Sequence, residues 1–301
     1  MGTDRMAVYT TWYPGIERYL GPWHASLRAQ TDQRFDLWIG ADGVDARRLL
    51  SDLPADDRPV RFVAKAGASP AGVREEAIRQ IVEEYSAVVF VDSDDWLEAS
   101  RIEAAREDLK RYDVAGCALR IVDQEGRDMG ACFAPEPDTA WEDLLPRYNV
   151  FGLSNSAYRS DVLRRCLPVP SASILFDWVL VTRAWALGAS LHFDSTVRMA
   201  YRQYPANTAR VLPPFSGPEV LAAADRVLAH YACVLSDDWS LPADPRRRLE
   251  EARSAVAGFF AAVSVSSHRL DAYVHALNAL APRFVWWWLV ANPELEDLWI
   301  H

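Results

Sequence analysis

Residues 87–96 read AVVFVDSDDW, an apolar run that ends in a cluster of acids. Ala87 to Val91 is an unbroken run of small, β-branched and aromatic residues followed by acids, the pattern of a strand buried on both faces. Such strands belong to parallel sheets covered by helices. The residues upstream agree. Residues 6–12 (MAVYTTW) read as a β-branched and aromatic strand, Ile16, Tyr19, Leu20, Trp23 and Leu27 recur at helical spacing, and residues 35–41 (FDLWIGA) read as a second strand, giving one βαβ unit. A third strand is expected over residues 59–64. Ser69-Pro70 then caps a helix on which Val73, Ala77, Ile78, Ile81, Val82 and Tyr85 share a face. Strands alternating with helices imply an α/β fold with a mixed, mostly parallel sheet flanked by helices.

Downstream of residue 96 the pattern predicts a helix near residues 101–111 and a hairpin over 114–133 turning at Asp123-Gln124-Glu125-Gly126. A helix over 177–187 ends at Gly188, and short strands follow near 190–193 and 198–201. From residue 213 the texture is all helical: Ser216-Gly217-Pro218 and Asp244-Pro245 are helix starts, and Leu270, Tyr273, Val274 and Leu277 repeat a three-and-four spacing. The expected organisation is therefore a sheet domain over residues 1–212 and an all-helical C-terminal subdomain over 213–301.

Composition narrows the function. Half of the 301 residues are hydrophobic, enough for a sizeable core, and a net charge of −10 argues against nucleic acid and anionic lipid as partners. Cys117, Cys132, Cys166 and Cys233 are too scattered for a zinc site or a disulfide framework, which suits a reducing cytoplasm. The chain start lacks the basic residues and apolar stretch of a leader. The longest apolar run, Phe284 to Ala291, is far short of the ~20 residues that cross a bilayer, so the expected location is cytoplasmic, at most peripheral to the inner face of a membrane.

In parallel sheets chemistry gathers beyond the carboxyl ends of the strands. Asp92, Ser93, Asp94 and Asp95 follow the buried strand directly, and strand alternation starts Asp92 and Asp94 on one face. Two converging carboxylates raise each other's pKa; a hard divalent cation relieves the repulsion and bridges to a substrate diphosphate. The competing reading is a cap on a helix starting near Trp96 or Leu97, but a cap requires one carboxylate and three are present. Asp42 is either a ligand or a turn residue beside Gly43. Residues 67–74 (GASPAGVR) have the glycine spacing of a phosphate loop, but Val73-Arg74 stands where Lys and Ser/Thr are required, so the NTPase reading fails. Arg74, placed in the first turn of its helix, either meets an anion there or is a solvated surface arginine. Asp177, between Phe176 and Trp178, is either an N-cap or a carboxylate raised by its apolar neighbours into the range of a general base.

Taken in order, VYTTWY at 8–13, Asp42-Gly43, the 67–75 segment, VFVDSDDW at 89–96, Phe176-Asp177-Trp178 and Tyr201-Arg202-Gln203-Tyr204-Pro205-x-Asn207-Thr208 resemble the motifs of family 2 glycosyltransferases of the GT-A fold, over about residues 6–210. The resemblance implies a metal-dependent, inverting transfer from a nucleotide-sugar donor to a saccharide or other hydroxyl acceptor, in polysaccharide or glycoconjugate synthesis. It implies Mn2+ or Mg2+ on Asp92 and Asp94, the two acids of the DxD motif, with Ser93 among the donor-binding residues. Thr11 and Trp12 match positions that line the nucleotide base, Asp42 the acid facing it, Arg74 the donor-side arginine and Asp177 the general base. The sequence departs from the family pattern at Ala41, Phe176 and Tyr204, where acid, acid and His are usual. Two rivals are a sugar nucleotidyltransferase, whose Gly-rich basic loop residues 10–20 (TTWYPGIERYL) do not provide, and a non-catalytic sugar-nucleotide-binding protein. The aromatic C-terminal segment, with Phe259-Phe260 and Trp286-Trp287-Trp288, packs on the catalytic domain, forms a homodimer contact or rests on a membrane; aromatic stripes at helical spacing usually bury themselves.

Overall fold

The computed structural model describes residues 5–205, 207–236 and 239–300. Met1 to Asp4, on which the expectation about a leader rests, and Ala206 of the 201–208 motif lie outside the described residues. The chain packs into two compact units, the first made of Met1–Ala134, Phe151–Ala172 and Gly188–Tyr204, the second of Pro135–Val150, Ser173–Leu187 and Pro205–His301. Each therefore draws on several stretches of chain, where the sequence reading sets a single boundary after residue 212.

In the first unit strand and helix alternate: β1 (Met6–Trp12), α1 (Glu17–Arg28), β2 (Phe35–Ala41), α2 (Ala46–Ser51), β3 (Val60–Ala64), α3 (Pro70–Glu84) and β4 (Ala87–Phe90). β5 (Trp96–Leu97), α4 (Arg101–Asp108), β6 (Val114–Val122) and β7 (Asp128–Phe133) follow. The chain contributes α5 (Trp141–Leu144) to the second unit, β8 (Ser156–Arg159) and α6 (Ser160–Cys166) to the first, α7 (Phe176–Ala186) to the second and β9 (Leu191–Arg202) to the first. The nine strands form one sheet in the order β3-β2-β1-β4-β8-β6-β9-β5, with β7 paired to β6. β1 to β4 are mutually parallel, β6 and β9 are parallel, and β8, β5 and β7 run antiparallel to their neighbours. This is the mixed, mostly parallel sheet expected from the alternation.

Local chemistry explains the boundaries. Every residue of β1 and β4 is buried, as a strand covered on both faces requires. Ser69 caps α3 by accepting from the Gly72 amide, with Pro70 at the first helical position. Two expectations change. The separate strands near 190–193 and 198–201 are one strand, β9, paired with β6 from Leu191 to Arg202; the register moves from Asp194 to Val197 between adjacent β6 residues, so exposed Ser195 and Thr196 form a bulge. Trp96-Leu97 starts no helix. It pairs with β9, and α4 begins only at Arg101 behind Ser100, so none of the acids at 92–95 caps a helix.

The second unit is built on α7 with α8 (Gly217–Val234), α9 (Ala243–Ser264), α10 (Ser267–Ala279) and a short 3-10 helix at Pro293–Leu298. A capping box between Ser216 and Glu219 opens α8. The Trp286-Trp287-Trp288 run is not helical; it turns, with Trp287 at φ +75°, and its three side chains are only 5%, 5% and 0% exposed. The aromatic run is core of this unit. No helix among the described residues is long and apolar enough to cross a membrane.

His230 of α8 lies flat on Trp178, ring centroids 4.0 Å apart, with no hydrogen-bond partner at either nitrogen. Burial lowers its pKa from 6.5 to about 3. A base that stays neutral in the native state but protonates when unfolded removes stability as pH falls below the unfolded value, so the loss runs from about pH 6.5 down to pH 3. We expect His230 to cost about 2 kcal/mol of stability at pH 5 relative to neutrality. Urea titrations at both pH values check this: His230→Phe, which keeps the stack, should lose that component, and an equal pH slope in both proteins would contradict it.

Candidate functional site

In the first unit the carboxyl ends of β1, β2 and β3 are level, because Trp12 pairs with Ala41 and Ala41 with Ala64. β4 stops earlier, at Phe90 opposite Tyr9, and the chain continues past it in a turn. The Val91 amide still bonds the Tyr9 carbonyl, and the Ser93 hydroxyl donates to the Thr11 carbonyl at 2.8 Å. Residues 91–95 are thereby tied to the end of β1.

That turn, not strand alternation, sets the acids. The Asp95 amide bonds the Asp92 carbonyl, folding the two residues onto Ser154. The Ser154 hydroxyl donates to Asp92 Oδ2 at 3.1 Å and also contacts Asp95 Oδ2 at short range. Asp95 Oδ1 accepts the Arg202 amide at 2.7 Å, and the Arg202 guanidinium reaches the Asp94 carbonyl at 2.8 Å and the Gln124 carbonyl at 2.6 Å. Asp94 turns the other way. Its Oδ2 accepts the Tyr204 hydroxyl at 2.7 Å, and the Tyr13 and Tyr204 hydroxyls lie 3.2 Å apart. Tyr204, the departure from His in the tail motif, is thus a neutral donor to an acid of the pair.

Burial raises the Asp94 carboxyl above its ordinary range, opposed by the two tyrosine hydroxyls and the charge of Arg202. Asp95 is raised much further, by burial first and then by the charges of Asp94 and Asp92. Among the described residues, Ser154, Tyr204, Tyr13 and Arg202 all act on these crowded carboxylates. A hard divalent cation fits this environment. Among the described residues no group of three or more His, Cys, Asp and Glu forms a cage for one. Mg2+-like ions are usually held by one or two carboxylates with substrate phosphates and water, and Asp92 and Asp94 match that smaller requirement.

Tyr9 lies within electrostatic reach of three of the other expected residues. Burial pushes its hydroxyl up to about 12, and the charges of Arg74, Asp92 and Asp42 all act on it. The hydroxyls of Tyr9 and Thr11 are 3.1 Å apart, and a Cβ at Gly40 would collide with the Tyr9 oxygen, so the residue paired with Thr11 must be glycine. Asp42 sits in the expected turn with Gly43 at φ +72°, its amide on the Trp12 carbonyl. Arg74 is the fifth residue of α3, hence in its second turn and not its first. Two expected donor residues point inward: Ser93 is fully buried, and the Trp12 indole is fully buried edge-on to Trp23.

Asp177 belongs to the second unit. It does not cap α7, whose N-cap position is Leu175, but occupies the first turn, where a helix dipole favours an anion. Asn149 donates to its Oδ2 at 2.9 Å. The sequence reading gave the loop at 149–155 a part in choosing sugar, base and acceptor, but assigned no individual role to Ser154, Arg202 or Asn149. Only Arg202 carried a signal, inside the tail motif.

A family model described as Glycosyl transferase family 2 matches residues 8–164. No curated protein matches the chain. Among solved structures, S. aureus TarS 1-349 in complex with UDP-GlcNAc superposes with a TM-score of 0.56 at 16% identity, covering 98% of this chain and 78% of that one. The mannosyltransferase PcManGT from Pyrobaculum calidifontis, in complex with GDP-Man and Mn2+, gives 0.54 at 16% identity, covering 92% and 80%. At these identities the likeness is one of fold.

Proposed function

The chain belongs to glycosyl transferase family 2 and is a glycosyltransferase, and on that premise we propose that it moves a sugar from a nucleoside-diphosphate donor onto an acceptor hydroxyl with inversion at the anomeric carbon. The observation that carries this reading is the placement of Asp42 just past β2 and of Asp92 and Asp94 just past β4, with the charges of Arg74, Asp92 and Asp42 acting on Tyr9 and those of Asp94 and Asp92 on Tyr13. Asp92, Asp94 and Arg74 at that edge suit a cation-bound diphosphate. The complexes of TarS with UDP-GlcNAc and PcManGT with GDP-Man and Mn2+ support a donor of the same class here.

Each residue then has a task. Asp92 and Asp94 would hold Mn2+ or Mg2+, which when bound offsets the charge of the departing diphosphate. Arg74 meets a donor phosphate. Asp42, held at the end of β1 by its amide on the Trp12 carbonyl, lines the nucleoside side, and the buried Ser93 hydroxyl fixes the acidic turn against β1 at Thr11. Asp177 accepts the proton of the acceptor hydroxyl as its oxygen bonds the anomeric carbon; the bond to the diphosphate oxygen breaks, its electron pair leaving with the diphosphate. A single displacement inverts the centre and needs no enzyme nucleophile.

Thermal unfolding with a series of nucleoside diphosphates, in Mn2+ and in EDTA, tests this. One diphosphate should raise the midpoint by several degrees in Mn2+ at concentrations well above its Kd and by much less in EDTA. Its nucleotide sugar, incubated with the protein, should release sugar whose anomeric configuration is inverted by NMR. Absence of stabilisation across the series, with no sugar released, would remove the reading.

A further inference from the structure

Asn149 is fully buried, and a buried amide is costly unless its donors and acceptor are used. One donor is spent on Asp177 Oδ2 at 2.9 Å. Its main chain is held by the far end of the protein: the Asn149 amide donates to the Trp286 carbonyl at 3.4 Å, and the Trp286 amide donates to the Asn149 carbonyl at 2.9 Å. The turn carrying Trp286 is itself fixed on several sides. Trp287 lies parallel to Trp178, the residue after Asp177, and the Trp288 indole donates to the Val211 carbonyl at 3.2 Å. The Tyr273 hydroxyl donates to the Leu289 carbonyl at 3.0 Å and accepts the Asn292 amide at 3.0 Å. Trp287 and Ala291 both hold the left-handed backbone conformation, at φ +75° and +46°. Non-glycine residues persist there only where their surroundings over-determine them, and such places cluster at functional sites.

We propose that Asn149 is a positioning residue for the base Asp177 and that the C-terminal turn at Trp286, outside the matched residues 8–164, belongs to the transfer machinery by holding Asn149 in place. The proposal deepens the assignment of Asp177 as base and rests on it. The amide helps to fix the rotamer of the carboxylate at the start of α7. A charge-assisted hydrogen bond to the ionised form also keeps a carboxylate deprotonated, and so able to take a proton.

The test is a 13C NMR titration of protein labelled at aspartate carboxyls, with the Asp177 signal identified by its loss in Asp177→Asn. In Asn149→Leu the Asp177 midpoint should rise by about one to two pH units, the worth of one hydrogen bond to a charged group. Asn149→Asp, which keeps the shape and replaces the donor by a second carboxyl, should raise it further and covers the case in which the leucine variant does not fold. Turnover of the nucleotide sugar should fall about 10- to 100-fold in Asn149→Leu, with KM for the donor unchanged. An Asp177 midpoint that stays put in either folded variant overturns the proposal. Full turnover in Asp177→Asn would instead overturn the assignment of the base while leaving the coupling between residues 149 and 177 visible in the spectra, so the two failures are distinct.

Discussion

Replacing Asp177 with asparagine should lower turnover by roughly 10²- to 10⁴-fold, the usual worth of a positioned base, and leave nucleoside-diphosphate binding nearly intact. A sugar hydroxyl is a weak nucleophile until its proton has somewhere to go. Asparagine has almost the shape of aspartate and fits the same first turn of α7, so the change removes proton acceptance without opening a cavity. The residues proposed for the donor, Asp42, Arg74, Asp92 and Asp94, lie on other segments and keep their contacts. Steady-state kinetics beside calorimetric titration of the nucleotide separate the two effects. A variant that turns over at the normal rate removes Asp177 from the chemistry, and one that loses nucleotide binding in parallel shows a structural role.

The parts of this protein legible in its sequence are those fixed by short-range physics. β1, β2 and the start of α3 follow from runs of β-branched and aromatic residues, a 3.6-residue periodicity and a Ser-Pro cap, and they fall where those signals put them. Gly188 stops α7 one residue beyond its C-cap, at φ +80°, as a glycine after a helix should. β9 was misread because a bulge places Ser195 and Thr196 in a strand interior, where polarity imitates a loop. Trp96-Leu97 was misread because two residues cannot show a period; their pairing with β9, a hundred residues on, makes them a strand.

The site divides along the same line. Asp92, Asp94, Asp42 and Arg74 stand at strand and helix ends and can be found by topology alone. Ser154 reaches Asp92 across 62 positions, Tyr204 reaches Asp94 across 110 and Asn149 reaches Asp177 across 28, and no local pattern announces such contacts. Inward orientation is equally hidden. Ser93 and Trp12 occupy expected positions in the chain, and both are fully buried.

Asp94→Ala should abolish the metal-dependent part of nucleotide binding, so that affinities measured in Mn2+ and in EDTA become equal. Asp94 is 8% exposed and oriented by two hydroxyls, which makes its carboxylate a fixed oxygen donor in the same turn as Asp92. Outer-shell partners that orient a metal ligand are typically worth about 10- to 100-fold in metal affinity. Tyr204→Phe, which keeps the ring against Tyr19, should therefore cost that much, and loss of the ligand itself should cost more. The pH dependence has a defined sign. Burial raises Asp94 and Asp95, so above pH 3.8 the cation-free native state keeps protons that the unfolded chain has released, and its stability declines as pH rises through the raised range. A cation binds the deprotonated form, so stabilisation by Mn2+ should grow with pH over that interval and vanish in Asp94→Ala. Thermal melts at several pH values, with and without Mn2+, read this directly. An Asp94→Ala protein that still gains stability and nucleotide affinity from Mn2+ would move the cation away from this turn, and with it the account of how the diphosphate leaves.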